Sequence, residues 1–145
     1  MIKSFRHVGI NVKDLTKAIH FYQKTLGLKK VVKLLEGDSY FNRLINTKNL
    51  KAEVLKLKSD DGIIVEIIRY IGSGKKAQIN KMVNTGTMHM CFTVNNISKI
   101  YKKLKRSKYK TFSPPLKSPY DPVSTFFCYD PDYNIVQFVE GKQIK

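Results

Sequence analysis

His7-Val8-Gly9-Ile10-Asn11-Val12-Lys13-Asp14-Leu15 is answered further along the chain by His89-Met90-Cys91-Phe92-Thr93-Val94-Asn95-Asn96-Ile97. An offset of 82 residues carries His7 onto His89, Ile10 onto Phe92, Val12 onto Val94, Asp14 onto Asn96 and Leu15 onto Ile97. Each copy sets a histidine at the head of an alternating apolar strand, then a helix-capping residue, then a helix. In the first copy Val8, Ile10 and Val12 share one face while His7, Gly9 and Asn11 share the other. That predicts a strand with a packed face and an open face. A repeated histidine implies two half-sites related by pseudo-symmetry, and paired imidazoles commonly hold a metal.

Working outward, Asp14 is the N-cap of a helix whose stripe is Leu15, Ala18, Ile19, Tyr22 and Leu26, closed by Gly27. Leu28 to Leu35 reads as a strand and Glu36 to Asp38 as a turn, with Tyr40 to Ile45 a third, weakly defined strand. Ala52 to Leu57 alternates and runs into the turn Ser59-Asp60-Asp61-Gly62, after which Ile63 to Tyr70 is again a strand. In the second copy Asn96 caps a helix from Ile97 to Lys105 that turns Ile100, Tyr101 and Leu104 inward. Thr111 to Pro119 is an extended edge segment. Val123 to Tyr129 and Ile135 to Val139 are strands joined by the turn Asp130-Pro131-Asp132-Tyr133-Asn134. The prediction is an α+β fold of two tandem βαβββ modules, residues 1–70 and 87–145, in one structural domain. The linker of residues 71–86 holds a short helix around Ala77 to Val83.

The bulk numbers exclude several classes. The 145 residues are 42% hydrophobic and 26% charged, ordinary for a globular protein, and no apolar run reaches the roughly 20 residues a bilayer span needs. The N-terminus enters a strand pattern at once, so no signal peptide is expected. Cys91 and Cys128 lie far apart in predicted strands without a CxxC, which reads as reduced thiols in a cytoplasmic protein. Lysine and arginine total 27 against 11 acidic residues, a net +16, yet only Arg6, Arg43, Arg69 and Arg106 are arginines. Nucleic-acid readers lean on arginine, so this charge reads as a solvated lysine-rich surface, densest from Lys99 to Lys110. Its functional counterpart is attraction for an anionic substrate such as a carboxylate, phosphate or acyl-CoA.

The module ends repeat as well. Gly62-Ile63-Ile64-Val65-Glu66-Ile67-Ile68 matches Asn134-Ile135-Val136-Gln137-Phe138-Val139, placing Glu66 where the second copy has Gln137. A lone polar residue in an apolar strand is expensive to bury unpaired. If Val65 and Ile67 pack against the helix, Glu66 points to the same side as His7. The simpler rival makes Glu66 the partner of an arginine such as Arg69 or Arg43, and the histidines mere polar lining. Glu140, of opposite parity to Gln137, is rejected as a substitute for it. His20 reads as surface, and Phe41, Phe126 and Phe127 as core or pocket wall.

Taken together, these residues resemble the vicinal oxygen chelate superfamily of glyoxalases, bleomycin-resistance proteins and extradiol dioxygenases. The resemblance spans almost the whole chain. Its carriers are His7 to Leu15, Phe21-Tyr22-Gln23-Lys24-Thr25-Leu26-Gly27-Leu28, Val65-Glu66-Ile67, His89 to Val94 and Asp130 to Gln137. It implies an open, cup-shaped mixed sheet around a divalent metal (Ni, Zn, Co, Mn or Fe) that substrates chelate through two neighbouring oxygens. Carried over by position, the ligands are His7, Glu66, His89 and Gln137, with Glu66 also the catalytic base and Cys91, Asn11 and Phe126 lining the pocket. Members usually carry a glutamate where Gln137 stands, and an amide cannot act as a base.

The reading that follows is a metal-dependent glyoxalase-like lyase or isomerase acting on a small α-oxygenated anion. It would be a cytoplasmic homodimer with no nucleic-acid or membrane partner. Two histidines and a carboxylate also match the ligand set of non-haem iron oxygenases. A third reading is a non-catalytic pocket protein that sequesters a small molecule.

Overall fold

The computed structural model describes residues 1–72 and 78–141. The chain divides into two compact units, Met1–Ala77 and Gln78–Lys145. Each is an open four-stranded mixed sheet carrying helix on one face.

In the first unit β1 (His7–Asn11) lies parallel to β4 (Ile64–Ile71), followed by antiparallel β3 (Lys51–Lys58) and edge strand β2 (Lys29–Glu36). Leu55, Leu57, Val65 and Ile67 are almost fully buried on one face, where α1 (Leu15–Ile19) packs on β4. Asp14 caps α1 by accepting from the Lys17 amide at 3.1 Å. The helix then widens into a π-helical stretch, His20–Thr25, marked by Leu26 N donating to Phe21 O at 2.9 Å and by Thr25 Oγ1 donating to His20 O at 3.0 Å. The wider turn shifts the inward face: Phe21, Tyr22 and Thr25 are buried, while Ile19 and Leu26, expected in the stripe, sit half-buried at its margin. Gly27, at φ +88°, ends it as expected.

The expected strand from Tyr40 to Ile45 is instead helix α2, Ser39–Leu44. Local capping decided it. Asp38 accepts from Phe41 N at 2.7 Å, and the Asn42 amide donates to the carbonyls of Gly37, Asp38 and Leu50 while its oxygen accepts from Leu50 N at 2.8 Å. Side chains that satisfy backbone groups this way favour a short capped helix over a ladder. Phe41 then packs with Ala52 and Val54, flanked by Ile45, Ile68 and Tyr70, at one end of the face opposite α1.

The second unit repeats the topology: β5 (His89–Thr93) parallel to β8 (Ile135–Gly141), then antiparallel β7 (Val123–Tyr129) and the short edge strand β6 (Leu116–Lys117). Helix α3 (Ile97–Arg106) is capped by Asn96, which accepts from Lys99 N at 2.8 Å, and buries Ile97 and Leu104. Tyr101 meets Phe126 edge-on at 5.5 Å and Phe126 stacks with Phe138 at 5.2 Å, so aromatic area dominates this core. The turn after β7 is organised by buried Asp130, which accepts from the amides of Asp132 and Asn134 and from the Asn134 side chain, each at 2.8 Å. Residues 78–83 form no helix; Tyr129 OH donates to Asn80 O at 2.8 Å and ties this segment to the sheet. Ala77, where that helix was expected to start, lies outside the described residues. Among the described residues, no helix is long and apolar enough to cross a membrane.

Candidate functional site

Strand parity builds the site. On the open face of the first sheet, His7, Gly9 and Asn11 are exposed on β1, while Glu66 rises from β4 between Ile64 and Ile68. The ladder sets Gly9 directly opposite Glu66, and Lys56 of β3 opposite Glu66 on its other side. Glu66 is only 13% exposed and holds two partners: Oε2 lies 3.4 Å from His7 Nε2 and Oε1 lies 2.8 Å from Lys56 Nζ. The expected arginine rival is elsewhere, since Arg69 Nε donates to Glu53 Oε2 at 2.6 Å, and Lys33 adds 2.8 Å to Glu53 Oε1.

The second sheet carries the matching face. His89 pairs with Ile135 as His7 does with Ile64, and Cys91 pairs with Gln137 as Gly9 does with Glu66. An offset of 71 residues carries Ile64 onto Ile135, Glu66 onto Gln137 and Lys56 onto Phe127. The Gln137 amide nitrogen donates to Thr125 Oγ1 at 2.9 Å, which in turn donates to Phe138 O at 2.9 Å. That tether commits the nitrogen and orients the carbonyl oxygen as the ligating end. His89 meets the Phe127 ring edge-on at 5.4 Å.

The pocket residues divide. Asn11 and Cys91 lie on the open faces with the histidines, and both are exposed. Phe126 does not: it is 1% exposed, sealed between Tyr101 and Phe138 on the α3 side. Its neighbour Phe127 is the aromatic of the open face, because successive strand residues alternate sides. Glu140 turns to the α3 side and accepts from Ile97 N at 3.3 Å, which makes it a helix cap. Sequence reasoning missed Lys56. Its signal was the same as that of Glu66, a polar residue facing away from Leu55 and Leu57 in an alternating strand.

Among the described residues, no group of three or more His, Cys, Asp or Glu side chains is set to hold a metal. The donor chemistry nevertheless fits one. His7 and Glu66, 3.4 Å apart, have the spacing of two ligands sharing an ion at bonds of about 2.0–2.2 Å. Partial desolvation raises the Cys91 thiol above its ordinary range, and burial together with Asp130 pushes Cys128 up to about 12.

Comparison with known proteins adds the following. The family described as the Glyoxalase/Bleomycin resistance protein/Dioxygenase superfamily matches residues 4–138. The mitochondrial methylmalonyl-CoA epimerase of Mus musculus is 33% identical over 110 residues, 74% of this chain and 54% of that protein. The chain thus spans about half the length of this curated relative. Among solved structures, a glyoxalase family protein from Bacillus cereus superposes with a TM-score of 0.86 at 16% identity, covering 97% of this chain and 95% of that one. The fosfomycin resistance protein FosX of Listeria monocytogenes gives 0.67 at 17% identity, covering 98% and 96%. At such identities these two structures speak to the fold alone.

Proposed function

The chain belongs to the Glyoxalase/Bleomycin resistance protein/Dioxygenase superfamily, and from that premise we propose that it is a divalent-metal-dependent isomerase or lyase. Its substrate is a small α-oxygenated anion bound through two neighbouring oxygens. The observation that carries this reading is the His7–Glu66 pair, 3.4 Å apart on an open sheet face, on a ladder that the second unit reproduces with His89 and Gln137. The similarity to an epimerase supports the isomerase side of the reading.

In this reading His7, Glu66, His89 and Gln137 hold the ion, which supplies Lewis-acid polarisation of substrate oxygens. Glu66 is the one carboxylate of the four, so the proton chemistry falls to it. It takes a proton from the carbon beside the substrate carbonyl and returns it to the neighbouring carbon. Gln137 accepts no proton; its carbonyl ligates while Thr125 keeps the amide nitrogen turned away. The net charge of +16 draws anions toward the site. The working protein is a cytoplasmic homodimer acting on a diffusible small molecule, not on nucleic acid or membrane.

A second reading, iron-dependent oxygen chemistry, is favoured by one observation: two histidines and one carboxylate are the ligand set of the non-haem oxygenases. Metal analysis of the purified protein separates the two. Stoichiometric Ni, Zn, Co or Mn supports the isomerase or lyase, and Fe(II) the oxygenase. Addition of the proper ion at 100 times its Kd stabilises by about 2.7 kcal/mol, a Tm rise of roughly 5–10 °C for a chain of this size. The H7A/H89A double variant loses that rise. If the protein carries no metal and none stabilises it, both enzyme readings fall, leaving sequestration of a small molecule.

A further inference from the structure

We propose that Lys56 is a specificity-determining residue that makes the Glu66 site select ligands carrying two negative charges on neighbouring oxygens. The inference rests on the metal-dependent reading above and adds the substrate's charge to it.

Lys56 stands opposite Glu66 in the β3–β4 ladder, on the open face, with its ammonium 2.8 Å from Glu66 Oε1. The second unit has no counterpart, since the equivalent position is Phe127. The ammonium therefore belongs to one side of the site, and it sits against the one carboxylate of the four-residue set. An ammonium has three donors. Glu66 takes one, and the side chain, 35% exposed, opens the others toward the same face. The Glu66 neighbour on the opposite side is Gly9, whose missing side chain leaves room for a ligand there.

Charge counting sets the preference. A divalent ion among neutral His7, His89 and Gln137, with Glu66 the only anion, leaves one unit of positive charge. Lys56 raises it to two. A glutamate in place of Gln137 would have removed one of these. A desolvated site with two uncompensated positive charges favours a dianion over a monoanion of the same shape. Charge-assisted donors from Lys56 then fix which end of the ligand lies toward β3.

The test uses oxalate and glycolate, two chelators of equal ring size carrying two charges and one. Zinc affinity is measured first, then each chelator is titrated calorimetrically into zinc-loaded wild type, Lys56→Met and Lys56→Arg. The expected result is that Lys56→Met keeps or improves zinc affinity, loses tenfold or more in oxalate affinity, and changes glycolate less than threefold. Lys56→Arg recovers most of the oxalate affinity. Equal effects on both chelators, no effect on either, or loss of zinc by the Met variant would each overturn the role of Lys56. Failure of the wild type to take up any divalent ion would instead overturn the metal-dependent reading itself.

Discussion

Gly9 stands directly across the parallel β1–β4 ladder from Glu66. A Cβ built on Gly9 would meet only Ile68 Cδ1, at an ordinary 3.7 Å, so the fold does not demand glycine there. Gly9→Ala is expected to fold with a stability change within about 1 kcal/mol. Gly9→Leu keeps a Tm within a few degrees of wild type but covers the ground beside Glu66, lowering divalent-metal affinity tenfold or more. Thermal melts and zinc titrations on both variants check this; an alanine variant that fails to fold would refute the open-ground reading.

Asn42 is the next test, because α2 depends on it. Its amide nitrogen serves three carbonyls, and its oxygen accepts from Leu50 N and from Thr47 Oγ1 at 3.1 Å, in a half-buried setting. Asn42→Ala strands several of these groups without partners, at about 1–3 kcal/mol each before relaxation. A total loss of roughly 2–4 kcal/mol is expected in urea unfolding, with amide exchange accelerated first across residues 38–50. A loss under 0.5 kcal/mol would show that the backbone there holds itself.

The same helix marks where the sequence stopped being legible. Alternation in β1, β3, β4, β7 and β8 was readable because one face of each packs under helix and the other does not. The repeat of His7 on His89 therefore carried both topology and ladder pairing. The run from Tyr40 to Ile45 has no such period, and its state was set by Asp38 and Asn42 bonding backbone several residues away. Phe21 was hidden for a related reason, since a π-helical stretch shifts the phase on which a 3.6-residue stripe relies. At the site, parity found Glu66 and Gln137 but overlooked Lys56. Lysine is common on exposed strand faces of this chain, and nothing local separates one that pairs with Glu66 from one that is merely solvated. Phe126 and Phe127 show the limit most sharply: one residue of uncertainty exchanges core for open face.

Glu53 gives a pH dependence. Hydrogen bonds from Lys33, then from Arg69, hold its carboxyl below the ordinary glutamate range. A depressed carboxylate binds fewer protons folded than unfolded, so its contribution is complete above the ordinary glutamate value and lost as pH falls through the lower folded one. Wild type should exceed Glu53→Gln in urea midpoint at pH 7, with the gap narrowing below pH 5 and closing near pH 3. A gap that persists unchanged at pH 3 would mean that packing, not charge, distinguishes the two.

Cys91 and Cys128 should differ in reactivity by orders of magnitude. Cys128 is fully buried on β7, and with its thiol pushed up to about 12, roughly one molecule in ten thousand is thiolate at pH 8. Cys91 is exposed, and its thiol is raised by partial desolvation alone. Iodoacetamide on the native protein should therefore modify one thiol, mapped to Cys91 by mass spectrometry, and both only after unfolding in urea. Cys91 also shares its ladder pair with Gln137 and lies two residues from His89. A divalent ion held by those residues crowds the thiol, so saturating zinc should slow its alkylation several-fold in wild type and leave the rate unchanged in the H7A/H89A variant. Protection that survives in that variant would place zinc on the thiol itself rather than on the histidines.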